Sequence, residues 1–289
     1  MKKSLRFIQS TFTVFALICL VYFSWQSKDL LQTLLAQTQW LYLAFAVLFG
    51  VLVHPACILI TQFQLKTLSA HLTYQQVFYI HTNRLPARYV PGGIWHFVSK
   101  VVDFHQLGIK KSQLGSLFLL EILQASFMSF LIGGSLIFYF RGIDEFWGSI
   151  AALAALLSLF GILLLPWSWK LFNLPPLDKR QYFKSASFFF LIWFASSSAF
   201  ICYLSAFPNL LNQTRLLEVV GTHIFSWAVG NLMIFAPQGI GVFEVVSGSL
   251  LNLSVQLVDA AIIIAGFRVI TLIGDIGLWA VVKIIYKPE

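Results

Sequence analysis

Apolar residues gather along this chain into blocks of about 20 or more, the length of helix needed to cross the hydrocarbon core of a bilayer. Six blocks predict spanning helices over about 7 to 25, 40 to 64, 114 to 140, 146 to 168, 185 to 207 and 259 to 286. Two further apolar regions, about 77 to 100 and 217 to 253, are broken by Pro and Gly, in "RYVPGGIWHF" from Arg88 and in "PQGIGVFEVV" from Pro237. Proline cannot continue a helix ladder, and glycine allows a tight turn. Each broken region is therefore predicted to dip into the membrane and return to the side it came from. Unpaired backbone in lipid costs several kcal/mol, so turns at that depth imply a shielded or wet cavity.

The order of elements then divides in two. Two spans, a dip and a third span make up about 1–142, and the same series makes up about 143–289, upside down relative to the first. "PGGIWHFVSK" and "PQGIGVFEVV" share Pro, Gly, Ile and Phe at equal offsets, and a lone charge follows each at nearly the same distance, Glu121 and then Arg268. The predicted fold is an all-α polytopic membrane protein. It is a single transmembrane domain built as an inverted repeat, each half carrying three spans and a re-entrant hairpin.

Composition agrees: the 289 residues are 58% hydrophobic and 10% charged, with a mean hydropathy of +0.82, outside the range of a soluble domain. The net charge of +8 does not indicate nucleic acid, because Lys and Arg are scattered between apolar runs without a polar face or aromatic platforms. They sort by side instead. With a cytoplasmic amino terminus, the loops assigned inside hold most of them, among them Lys2, Lys3, Lys110, Lys111, Lys179 and Arg180, and only Lys28, Arg141 and Arg215 fall outside. Cys19, Cys57 and Cys202 lie in separate apolar runs without CxxC spacing and read as lipid-buried or packed thiols. No small-x-small site follows the first apolar block before Lys28 and Asp29, so it is expected to be an uncleaved span.

Broken hydrophobic segments at matching places in two inverted halves point to a transport site near the bilayer midplane. Arg88 precedes the Pro91, Gly92, Gly93 turn and is expected to gather an anion there with the help of turn amides. Two readings stand for Arg84 and Lys100: the same role, or snorkelling to the headgroups. Glu121 and Arg268 are flanked by apolar residues for more than a turn. A lone charge at the bilayer centre costs about 2.5–3.5 kcal/mol on insertion scales, so both should face inward, most economically as partners of each other. Whether such a pair is structural or serves a substrate stays open. Glu244 follows the second turn, which Pro237, Gly239 and Gly241 define. Asp275 lies seven residues, or about 700° of helix rotation, beyond Arg268 and so near the same face. His81, His96 and His105 have no ligand spacing. The aromatic residues are expected to be mostly lipid-facing, with Trp25, Trp40 and Trp147 as interfacial anchors.

Taken in order, "NRLPARYVPGGIW", "LFLLEIL", "NLMIFAPQGIGVFE" and "AGFRVITLIGDIGLW" resemble the flippase-like transmembrane domain of the lysylphosphatidylglycerol synthase family, which also occurs free-standing. The most specific parts are Pro237 to Glu244 and Arg268. Many members carry Gly and Glu after the first Pro-Gly turn, with an Arg shortly after. This chain has Trp95, His96, Ser99 and Lys100 there, and Gln238 where Gly is usual, which implies a different headgroup.

The resemblance implies movement of a polar or anionic lipid, a phospholipid or a polyprenyl-phosphate lipid, between the leaflets of a bacterial inner (plasma) membrane. The chain stops at Glu289, so the synthase domain and lysine transfer are not expected. Two alternatives remain. A polyprenyl-phosphate-dependent glycosyltransferase would want a carboxylate-rich outside loop, where this chain offers only Asp29 and "GIDEFWG". A scaffold for a lipid-modifying enzyme would bind its partner through short loops. No GxxxxGK[ST] loop occurs, so ATP-driven pumping by this chain is not expected, nor is any cofactor or metal.

Overall fold

The computed structural model describes residues 18, 22, 24–89, 95–169, 177–211, 214–233, 239–251, 253 and 255–285, with backbone only for 95–98. Most of the first expected span, Cys19, Pro91, Gly92, Gly93, Pro237, Gln238 and the side chains of Trp95 and His96 lie outside the described residues. Among those described, every regular element is helical. In chain order they are α1 (Lys28–Ala36), α2 (Trp40–Thr67), α3 (Tyr74–Asn83), a 3-10 turn (Leu85–Tyr89), α4 (Trp95–Gln106), α5 (Lys111–Arg141), α6 (Phe146–Ser168), α7 (Lys179–Ser205), α8 (Leu216–Leu232), α9 (Val242–Leu250) and α10 (Leu257–Ile285).

Five of these, α2, α5, α6, α7 and α10, are long and apolar enough to cross a membrane. At 1.5 Å per residue they run about 35–46 Å, more than the roughly 30 Å hydrocarbon core. They coincide with five of the six expected spans, and they mark the chain as an integral membrane protein. The broken regions are different. Around the first break stand α3, the 3-10 turn and α4, none longer than 12 residues. Around the second stand α8, of 17 residues, and α9, of 9.

Two helices open on side-chain caps. Thr73 opens α3 by accepting from the Gln76 N–H while the Gln76 side chain accepts from the Thr73 N–H. Asp178 caps α7 by accepting from the N–H groups of Arg180 and Gln181. On α6, Leu153, Leu156, Leu157, Phe160, Leu163 and Leu164 face outward, whereas Gly148, Ala151, Ala155, Ser158 and Ile162 face inward at a spacing of three and four. Lipid is as apolar as leucine, so such helices associate through close packing rather than hydrophobic burial. Gly133 and Gly134 on α5 show this directly. A Cβ on Gly134 would meet the Ala151 carbonyl oxygen of α6 at 2.7 Å, and one on Gly133 would meet the Phe225 amide nitrogen of α8 at 2.5 Å.

A buried polar clamp ties three spans together. Gln64 of α2 donates to Gln124 Oε1 of α5 at 2.8 Å, Ser185 of α7 donates to the same oxygen at 2.9 Å, and Gln124 Nε2 donates to the Tyr182 carbonyl at 3.0 Å. Among the aromatic residues, Trp25, Trp40, Tyr139, Phe146, Phe160 and Phe194 are exposed, while Phe200, Phe225, Phe243, Phe267, Trp169 and Trp193 are buried in the interior.

Candidate substrate-binding cavity

The first broken segment brings its basic residues to three different places. Arg84, which closes α3, makes a bidentate pair with Asp103 of α4, both nitrogen-oxygen distances 2.6 Å. That hydrogen-bonded carboxylate raises the guanidinium above its ordinary pKa. Arg84 thus joins the two arms of the segment instead of reaching for headgroups. Lys100, on α4, is buried and lies 3.5 Å from Glu121 of α5, so the snorkelling reading is corrected for it as well. Arg88 faces a cavity, its side chain 40% exposed, with Nη1 3.0 Å from Asp275 Oδ2 of α10.

Asp275 is the hub. Its Oδ2 also accepts from the Tyr89 hydroxyl at 2.9 Å, and its Oδ1 lies 3.0 Å from His54 Nε2 of α2. The other His54 nitrogen, Nδ1, is 2.9 Å from His81 Nε2 of α3. The Asp275 carboxylate can only accept, so the Tyr89 hydroxyl is the donor of their bond. The helical offset that placed Asp275 near Arg268 holds, since both line one cavity.

Sequence reasoning overlooked His54 and Tyr89. A signal for His54 existed: a polar residue directly before Pro55, inside the otherwise apolar "FGVLVHPACILI". The proline has no N–H to give the helix ladder, and an imidazole at that depth requires a partner.

The second broken segment is held by its own carboxylate. Gly239 and Gly241 have φ of +68° and +86°, in the left-handed region. Glu244, 1% exposed, accepts from the Gly241 N–H at 2.7 Å and pairs with Arg268 Nε, whose guanidinium lies 5.5 Å from the Phe243 ring centre. The expected pairing of Glu121 with Arg268 is therefore corrected. Each has a nearer partner, because each broken segment carries an opposite charge, Lys100 or Glu244, onto the span beside it. Gly239 also packs closely against α8. A Cβ on Gly239 would meet the Gly230 Cα at 2.6 Å, so a larger residue there disturbs the packing of α8 itself.

These groups surround a cavity of about 330 Å³ bounded by α2, α5, α7, α8 and α10. One wall is charged: Arg88, Lys100, Glu121, Arg268 and Asp275. The lining also holds aromatic residues, Phe189, Trp193, Trp227 and Phe267, and Ser196 bonded to His223 at 2.8 Å. Three cations face three carboxylates, counting Glu244 behind Arg268, so the set is balanced. Its presentation is not. The Arg88 and Arg268 side chains are 40% and 24% exposed while their carboxylates, on Asp275 and Glu244, are 6% and 2%. At two of three pairs the guanidinium stands forward and the acid is recessed. Among the described residues, no group of three or more His, Cys, Asp or Glu side chains could hold a metal ion.

Comparison with protein-family models and with curated proteins yields no match for this chain.

Proposed function

We propose that this protein moves a lipid with an anionic polar headgroup between the two leaflets of a membrane. The observation that carries this reading is the pair of forward guanidiniums, Arg88 and Arg268, in a cavity enclosed by apolar spanning helices. Guanidinium matches phosphate bidentately, and a charged group in a membrane interior is a functional signature by default. A cavity of about 330 Å³ lies at the small end of ligand sites, room for a headgroup and not for acyl chains. The chains would stay in lipid while the headgroup exchanges water for Arg88 and Arg268. The same reading is what the resemblance to the flippase-like domain implied.

On this proposal the two broken segments are re-entrant hairpins of opposite sense, and the halves about 1–142 and 143–289 form the inverted repeat. The amino terminus faces the cytoplasm. Cysteines placed at Lys110 and Asp144, in a chain with Cys19, Cys57 and Cys202 replaced, should react with impermeant reagent from opposite faces, Lys110 from the cytoplasmic one. Labelling of both from one side would remove the topology.

Transport is tested in vesicles containing phosphatidylethanolamine labelled on its amine with nitrobenzoxadiazole, which leaves the phosphate as the only charge. Dithionite added outside should quench inner-leaflet probe only where the protein is present. Arg88→Gln should slow this by at least about tenfold, the loss of one charge-assisted hydrogen bond of about 1.5–3 kcal/mol. Equal rates in empty and protein-containing vesicles would end the transport reading and leave the scaffold role.

A further inference from the structure

Transport of an anion against three balanced ion pairs raises a question of charge. Arg88 can hold a headgroup only by giving up part of its attraction to Asp275, and Asp275, 6% exposed, then lacks a cation in a low-dielectric interior. The structure holds a second candidate for that carboxylate. His54 reaches the other Asp275 oxygen at 3.0 Å, and His81 stands directly behind His54 at 2.9 Å, their rings edge to face. Both histidines are buried, at 2% and 5% exposure, and both line the cavity.

Hydrogen-bond roles follow from the carboxylate, which can only accept. His54 Nε2 must then carry a proton toward Asp275. In the neutral ring, Nδ1 is consequently the acceptor, and His81 Nε2 donates to it. One added proton changes this. It makes an imidazolium of one of the two rings, shared across the 2.9 Å contact, and turns His54 from a dipole into a cation against Asp275. Asp275 then faces two cations, and Arg88 is released to the cavity.

We infer that His54 and His81 form a proton-binding site that takes up one proton with each anionic headgroup bound at Arg88, so that lipid and proton move together. This rests on the headgroup reading above. The charge count makes the coupling mutual. A proton alone leaves the cavity one charge positive, an anion alone leaves it one charge negative, and both together restore neutrality. Either unbalanced state is costly in a membrane interior. The other charged and titratable groups around Asp275 and the two rings do not compete for the role. Cys57 sits one turn from His54 on α2, and Tyr89 remains a donor to Asp275. Lys100 of α4 is taken by Glu121 of α5, and Arg268 by Glu244. His223 of α8 bonds Ser196 of α7.

The test counts protons. The purified full chain, in mild detergent with little buffer and a pH-indicator dye, is titrated with phosphatidylglycerol, whose phosphate is ionised throughout the range used. At a fixed pH near 7, wild type should take up about one proton per bound lipid. By linkage, its lipid affinity should rise by up to about tenfold for each pH unit lowered. His54→Gln keeps an N–H for Asp275 but cannot accept the proton. It and His81→Gln should bind phosphatidylglycerol with no proton uptake and no pH dependence. Wild type that binds lipid without taking up protons would overturn the inference while leaving the headgroup reading standing. Proton uptake unchanged in both variants would overturn it too, by placing the proton elsewhere. Failure of wild type to bind phosphatidylglycerol at any pH would instead bring down the headgroup reading, and the inference with it.

Discussion

Arg268→Ala should cost this protein about 3–5 kcal/mol of stability as well as its transport, because it strands Glu244. That carboxylate is 1% exposed and, among the described residues, would keep the Gly241 N–H at 2.7 Å as its hydrogen-bond donor. Removing both charges is different: Arg268→Met with Glu244→Gln leaves no unpaired ion at this position, and the glutamine oxygen can still accept from Gly241. The double variant should recover most of the unfolding temperature lost in Arg268→Ala, yet move no lipid. Thermal unfolding in detergent, beside dithionite quenching in vesicles, reads the two effects separately. An Arg268→Ala protein as stable as wild type would show that the pair does not hold the second broken segment. Exchanging Glu121 with Arg268 should rescue nothing, since each would then face a like charge, Lys100 beside the new arginine and Glu244 beside the new glutamate.

Asp275→Asn should abolish transport while tightening lipid binding, a combination that a merely structural carboxylate would not produce. Asp275 holds Arg88 at 3.0 Å, Tyr89 at 2.9 Å and His54 at 3.0 Å. An amide keeps the shape and loses the charge, so Arg88 is left without its carboxylate and keeps the headgroup phosphate instead. Release then becomes the slow step. Losing two charge-assisted hydrogen bonds at about 1.5 kcal/mol each corresponds to a fall in transport of at least about 100-fold. More phosphatidylglycerol should copurify, measured by lipid mass spectrometry. Asp275→Glu, which restores the charge on a longer stem, should recover part of the rate. Asp275→Asn transport at the wild-type rate would remove Asp275 from the mechanism.

The spans were legible in the sequence because hydropathy is a property of composition over about 20 residues and needs no partner. The expected blocks at about 40 to 64 and 146 to 168 appear as α2, Trp40–Thr67, and α6, Phe146–Ser168. The two interruptions were legible for a similar local reason, since Pro and Gly act on the backbone where they stand, and short helices flank both breaks. Even the meeting of Asp275 and Arg268 at one cavity followed from helical rotation alone. The ion pairs did not. Which carboxylate meets which cation depends on how far each broken segment reaches between the spans. Glu244 and Arg268 are separated by 24 residues, and Arg88 and Asp275 by 187. No periodicity links such positions. His54 was hidden because its function depends on α3 and α10 arriving on either side of it with His81 and Asp275. Composition and local backbone chemistry thus determined where this chain enters the membrane and where its helices break. Only tertiary packing decided which charges neutralise one another, because in a low-dielectric interior the nearest opposite charge dominates, and nearness is set by the fold.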